Sequence, residues 1–180
     1  MFFNRVITLV FILTLSGCGG GMGDDLDPSS SDQRQQVEAG STGTQVSQVS
    51  PDFSITDSLS NPRTLSTELA TVDAIVLYFT MWCPICDAHA SDIRANIEPN
   101  FPTVRFFLVD YVSGTVSSSR ATQLANGYGS STVLVDIDDN VENLFNAYAG
   151  TTIVIDHSGV VRMNEDFKDG YKLRQVLEAL

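Results

Sequence analysis

The chain has 180 residues, 43% of them hydrophobic and 18% charged, and its 22 acidic side chains against 10 basic ones give a formal net charge of -12. So acidic a chain, with nothing resembling a basic patch, is a poor match for a phosphate backbone, which excludes nucleic acid as an expected partner. Three cysteines are too few for a disulfide framework, so Cys18, Cys83 and Cys86 must each be accounted for singly.

The front of the chain sets the compartment those sulfurs meet. Residues 1–17 read as a secretory signal: Arg5 supplies a short positive region and "VITLVFILTL" an apolar run too short to span a bilayer as a helix. The run ends in "LSGC", which resembles the lipobox of bacterial lipoproteins, where an aliphatic residue and two small ones precede the cysteine that is lipidated. The resemblance implies that Cys18 is a lipid anchor and that the chain is extracytoplasmic on a bacterial membrane. Gly19, where no Asp follows the cysteine, resembles the pattern sorted to the outer membrane, facing the periplasm. Cleavage without lipidation would instead leave Cys18 as a free thiol. Residues 18–50 are rich in Gly, Ser, Gln and Asp and nearly free of large apolar side chains. Such a segment buries too little surface to offset its ordering entropy and reads as a flexible tether. Residues 51–180 then form one compact domain.

Within that domain apolar runs alternate with helical patterns. "DAIVLYF" is a continuous β-branched and aromatic run, the signature of a buried central strand. From Pro84 to Asn96, with Cys86, Ala90, Ile93 and Ile97 on one face, the spacing predicts a helix that Pro99 ends. "TVRFFLVD" predicts a second core strand, "SSRATQLANGYG" a helix closed by Gly127 or Gly129, "STVLVDI" a third strand and "NVENLFNAYAG" a helix ending near Gly150. "TTIVID" and "VVRM" flank an "HSG" hairpin turn, where His157 is a turn residue, and "YKLRQVLEAL" is an amphipathic C-terminal helix. Strands alternating with helices and closing on a hairpin imply an α/β sandwich with a mixed sheet.

The chemistry concentrates in "WCPICDAH". With Cys18 set aside, Cys83 and Cys86 form an isolated pair that is a working dithiol, a pair of metal ligands or a short staple. A loop this short removes little entropy from the unfolded chain, so a staple would contribute little. Cys83, Cys86 and His89 together offer soft ligands suited to Cu(I), whereas Asp87 after Cys86 excludes the c-type haem pattern.

Three segments taken in order carry a family resemblance. "PDFSITDSLSNPRTLSTELA", "IVLYFTMWCPIC" and "AGTTIVIDHSGVVR" resemble the opening hairpin, the redox-motif segment and the closing hairpin of TlpA-like thioredoxin-fold proteins, within the redoxin and AhpC/TSA superfamily. The resemblance implies an α/β thioredoxin-like fold, a mixed central sheet flanked by helices on both faces. It implies a monomeric thiol-disulfide oxidoreductase without a cofactor, whose partners are protein thiols and disulfides and a redox partner protein.

In that reading the strand delivers Cys83 to a helix N-terminus, where unsatisfied N–H groups and the macrodipole favour its thiolate. Cys83 attacks and Cys86, one turn further in, resolves. Pro84 suits the first helical turn. Trp82, Pro84, Ala149 and Gly150 line the substrate groove, Trp82 as an apolar platform or a plain packing aromatic. Asp87 caps or solvates the first turn. His89 is either the proton acceptor of Cys86 or a packed core histidine.

The chain also departs from the family. Gly150 stands where a cis-proline is usual, and Ala149–Gly150 is expected to be trans. Leu77 stands where thioredoxins hold a buried acid, which is what gives His89 its candidacy. Thr80, three residues before Cys83, also fits a peroxiredoxin-like thiol peroxidase, although Val76 occupies that pattern's proline place. The Cu(I)-binding module is the remaining alternative.

Overall fold

A computed structural model describes residues 37–180. In chain order the elements are β1 (Ser54–Asp57), β2 (Pro62–Thr64), α1 (Leu65–Leu69), β3 (Ala74–Thr80), α2 (Pro84–Asp92), β4 (Val104–Asp110), α3 (Val116–Ala125), β5 (Thr132–Val135), α4 (Asn140–Phe145), β6 (Thr151–Asp156), β7 (Val161–Asp166) and α5 (Tyr171–Glu178). The strands form one sheet in the order β2-β1-β5-β4-β3-β6-β7. β3, β4 and β5 run parallel, and every other neighbouring pair is antiparallel, so the sheet is mixed as expected.

Every residue of β3 is buried, because the strand is covered on both faces. Leu77 and Phe79 point into the cluster that Leu65 and Leu69 of α1 and Val141 and Phe145 of α4 complete. Ala74, Val76 and Tyr78 point to the opposite cluster, with Ala90 of α2 and Leu173 and Leu177 of α5. This period of two on a doubly covered strand is why "DAIVLYF" reads as a run without polar breaks.

Two helices differ in extent from the sequence expectation. The α-helical pattern from Pro84 stops at Asp92 and continues as a wider π-type turn over Ile93–Ile97, then a short 3-10 turn, Glu98–Asn100. Ile93 and Ile97 are both buried across that turn, and Pro99 sits within the 3-10 turn, so the run ends at Asn100, one residue past the expected stop. The "NVENLFNAYAG" helix stops at Phe145, because Asn146 adopts a left-handed conformation that closes it.

The domain begins before Pro51, which corrects the tether boundary. Ser47 N–H donates to Val161 O at 2.9 Å, Val161 N–H to Gln48 O at 2.8 Å and Ser50 N–H to Gly159 O at 2.8 Å, so residues 47–50 pair with the start of β7. Polar side chains brace the strap locally, with Gln48 Nε2 donating to Ser41 Oγ at 3.0 Å. Composition misses this because the order comes from backbone pairing to an edge strand, which needs no apolar side chains. Residues 18–36 and Cys18 lie outside the described residues. Among the described residues no helix is long and apolar enough to cross a membrane.

A chain shortened to start at Pro51 should keep the fold and lose protection at the Val161 amide in hydrogen exchange. Equal protection in the two chains would contradict the pairing of Gln48 with β7.

Candidate active site

The site is made by the junction of β3 with α2. The last strand residue, Thr80, is buried, and its Oγ1 accepts the Trp82 N–H at 3.0 Å. Trp82 turns the chain with φ 58°, a left-handed conformation that costs a residue bearing a side chain about 1–2 kcal/mol. Cys83 follows as the N-cap of α2, in extended conformation. Its Sγ accepts the Cys86 N–H at 3.1 Å and its carbonyl accepts the Asp87 N–H at 2.9 Å. Pro84 takes the first helical position, where a missing N–H leaves nothing unpaired.

Cys83 and Cys86 are joined in a disulfide, with Cα atoms 5.0 Å apart. The two sulfurs differ in access: Cys83 is partly exposed, whereas Cys86 is 2% exposed and shares the inner face of α2 with Ala90. An amide aimed at Cys83 Sγ, added to the positive end of a helix, stabilises a thiolate there once the bond is reduced.

His89 lies one turn along α2 and is half-buried. Its Nδ1 is 3.1 Å from the Tyr78 hydroxyl, and its ring centroid is 4.7 Å from that of Phe167. Burial pushes the imidazole pKa below its ordinary value, against the pull of Asp92 and Asp166, so neutral pH finds it uncharged. Burial likewise raises the Tyr78 phenol well above its usual range, which keeps it a hydroxyl. Among the described residues no group of three or more His, Cys, Asp and Glu side chains is placed to hold a metal ion.

The segment bonded to the end of β3 starts β6. Gly150 N–H donates to Phe79 O at 2.9 Å, and Phe167 N–H donates to Gly150 O at 2.9 Å, which ties this loop to the end of β3 and to the residue after β7. The Ala149–Gly150 bond is trans. Gly150 has φ 98°, a conformation L side chains rarely adopt, and a Cβ added there would meet nothing within 4 Å. Leu77 belongs to the cluster on the face away from α2, so no acid rises from its position.

One residue of the site had no signal in the sequence beyond an aromatic between two glycines. Tyr128, in the loop from α3 to β5, is buried, and its hydroxyl lies 2.6 Å from Asp87 Oδ1 and 3.0 Å from Ser91 Oγ. Its ring is 6.1 Å from that of Trp82 and 4.8 Å from the Arg94 guanidinium. Asp87 is thus engaged by this loop rather than only capping or solvating the helix.

No protein-family model matches the chain. No curated protein matches it. Solved structures do match. A thioredoxin-like protein from Aeropyrum pernix is 16% identical, with 72% of this chain and 89% of that one covered and a TM-score of 0.59. The chain has a thioredoxin-like fold. A secreted disulfide oxidoreductase of Mycobacterium tuberculosis is 21% identical over 71% of this chain and 96% of its own, with a TM-score of 0.57. The exposed lipoprotein thioredoxin of Streptococcus pneumoniae is 22% identical over 72% and 100%, with a TM-score of 0.55. The thioredoxin-like fold here sets the dithiol just after the end of the central strand, whose Phe79 carbonyl accepts the Gly150 N–H.

Folding lowers the His89 pKa through burial. Below the ordinary histidine pKa of 6.5 the unfolded chain binds a proton that the folded chain resists, so this group favours folding above that pH and opposes it as the pH falls. Urea unfolding across pH 5 to 8 should show wild-type stability falling on the acid side, with a shallower fall in His89→Gln. Equal slopes would contradict burial of a neutral imidazole.

Proposed function

We propose that the chain is a thiol-disulfide oxidoreductase resembling the TlpA-like proteins, tethered outside the cytoplasm and acting on protein disulfides through Cys83 and Cys86. One observation supports this most: Cys83 is the helix N-cap whose sulfur accepts the Cys86 amide, while Cys86 is enclosed behind it. The exposed sulfur is the one poised as thiolate and the hidden sulfur is the one poised to resolve.

In the reducing direction the Cys83 thiolate attacks a client disulfide, forms a mixed disulfide and releases one client sulfur as thiolate. Cys86 then gives up its proton and attacks Cys83 Sγ. The Cys83–client bond breaks, the second client sulfur leaves, and the Cys83–Cys86 disulfide closes. Two electrons have passed to the client, and a redox partner protein restores the dithiol. Run backwards, the same steps oxidise a client.

In this reading His89, held neutral by burial and one turn beyond Cys86, is the proton acceptor for the resolving thiol. Trp82, Pro84, Ala149 and Gly150 line the client groove, and the exposed Met81, Ile85 and Tyr148 give it an apolar rim. Cys18 is the lipid anchor.

Cys86→Ser should accumulate mixed disulfides with client proteins, and Cys83→Ser should accumulate none. Trapping by Cys83→Ser alone would reverse the roles. Sustained turnover of hydrogen peroxide by Cys86→Ser would replace the reading with a thiol peroxidase.

In detergent phase separation of bacterial membranes the wild type should enter the detergent phase, and Cys18→Ala should move to the aqueous phase. Identical partitioning would remove the anchor while leaving the dithiol chemistry untouched.

A further inference from the structure

Asp87 works against the chemistry of Cys83. It is the one charged residue in the first turn of α2, it follows Cys83 by four positions, and its N–H donates to the Cys83 carbonyl at 2.9 Å. Residues four apart share a helix face, and helical side chains lean toward the N-terminus. The Asp87 side chain therefore lies on the face of Cys83 and leans in its direction. A carboxylate there repels a thiolate and offsets part of what the helix end contributes.

Tyr128 holds that carboxylate. Its hydroxyl lies 2.6 Å from Asp87 Oδ1, 2.9 Å from the Asp87 carbonyl and 3.0 Å from Ser91 Oγ. A phenol has one proton to give, and the shortest contact, to the charged oxygen, takes it, while Ser91 Oγ donates to the phenol in return. Burial and the Asp87 carboxylate both raise the Tyr128 pKa, which keeps that proton on the phenol. The ring is fixed from two sides, by the Arg94 guanidinium 4.8 Å from its centroid and by Trp82 at 6.1 Å. Arg94 also donates to the Gly127 carbonyl of the same loop at 2.9 Å. Other ionisable groups meet α2 further along: Tyr78 of β3 and Asp166 of β7 at His89, and Arg174 of α5 at Asp92. Among the described residues, Tyr128 gives the one side-chain hydrogen bond to the Asp87 carboxylate.

We propose that Tyr128 is a positioning residue for the dithiol: by fixing the Asp87 carboxylate with its hydroxyl, it limits how far that charge disfavours the Cys83 thiolate. Freed from the phenol, the carboxylate turns along its helix face toward the sulfur, and the thiolate becomes harder to form. The loop from α3 to β5 thus tunes the attacking sulfur through Asp87. The consequence for turnover rests on the oxidoreductase reading; the effect on the Cys83 thiol does not.

The Cys83 pKa in the reduced protein, followed by ultraviolet thiolate absorbance at low ionic strength, tests this in the wild type, Tyr128→Phe, Asp87→Asn and the double variant. Tyr128→Phe keeps the ring and should raise the transition by about 0.3 pH unit, the worth of one like-charge pair four residues apart on a helix. Asp87→Asn should lower it, and the double variant should match Asp87→Asn, because no charge is left to steer. In about 1 M salt, where screening acts within about 3 Å, the rise in Tyr128→Phe should fall by more than half. An unmoved transition in Tyr128→Phe overturns the proposal. So does a rise that persists in the Asp87→Asn background or at high salt, since a purely structural role acts with or without the charge. Should Tyr128→Phe fail to fold, Asp87→Asn decides, because an unlowered transition there overturns the proposal and a lowered one sustains it. A wild-type Cys83 that titrates like a free cysteine would end its reading as the activated sulfur, and the differences among the four proteins would still be read from that value.

Discussion

The Cys86 amide aimed at the Cys83 sulfur is the contact on which the functional account depends. It exists because a fully buried strand ends at Thr80, a left-handed residue reverses the chain at Trp82, and a helix begins at once with Pro84. Each step needs the one before it. A strand buried on one face only would leave its end free to shift, and a looser turn would not bring the first helical amides onto the sulfur. The N–H groups that a helix leaves unpaired at its start become the environment of the thiolate.

The surroundings hold that junction in place. Tyr128 clamps α2 through Asp87 in its first turn and Ser91 near its end, and its ring packs against Trp82. From the other side Gly150 ties the start of β6 to Phe79, the residue before Thr80. Glycine at this position leaves the space beside the loop open, since a Cβ there would meet no atom within 4 Å. A proline ring would fill part of that space and take away the N–H that binds Phe79 O. In this chain the loop at Gly150 is therefore held to the end of β3 by a backbone hydrogen bond.

Much of this was legible in the chain because it is local. The unbroken run "DAIVLYF" marked β3, and cysteines three apart with proline between them marked a helix start, since each signal lies within a few residues of what it determines. The position of His89, one turn inside that helix, followed from the same spacing. What escaped depends on pairing across the fold. The order of residues 37–50 comes from the edge of β7, which their own polar composition does not announce. Tyr128 reaches α2 from a loop 41 residues after Asp87.

The acidity of the Cys83 thiol tests the central claim most directly. In the reduced protein, followed by ultraviolet thiolate absorbance across pH, the first thiolate should form well below the free cysteine pKa of about 8.5 and should vanish in Cys83→Ser. A first transition at or above that value, or one that survives in Cys83→Ser, would show that the helix N-terminus does not activate Cys83 and would contradict the account.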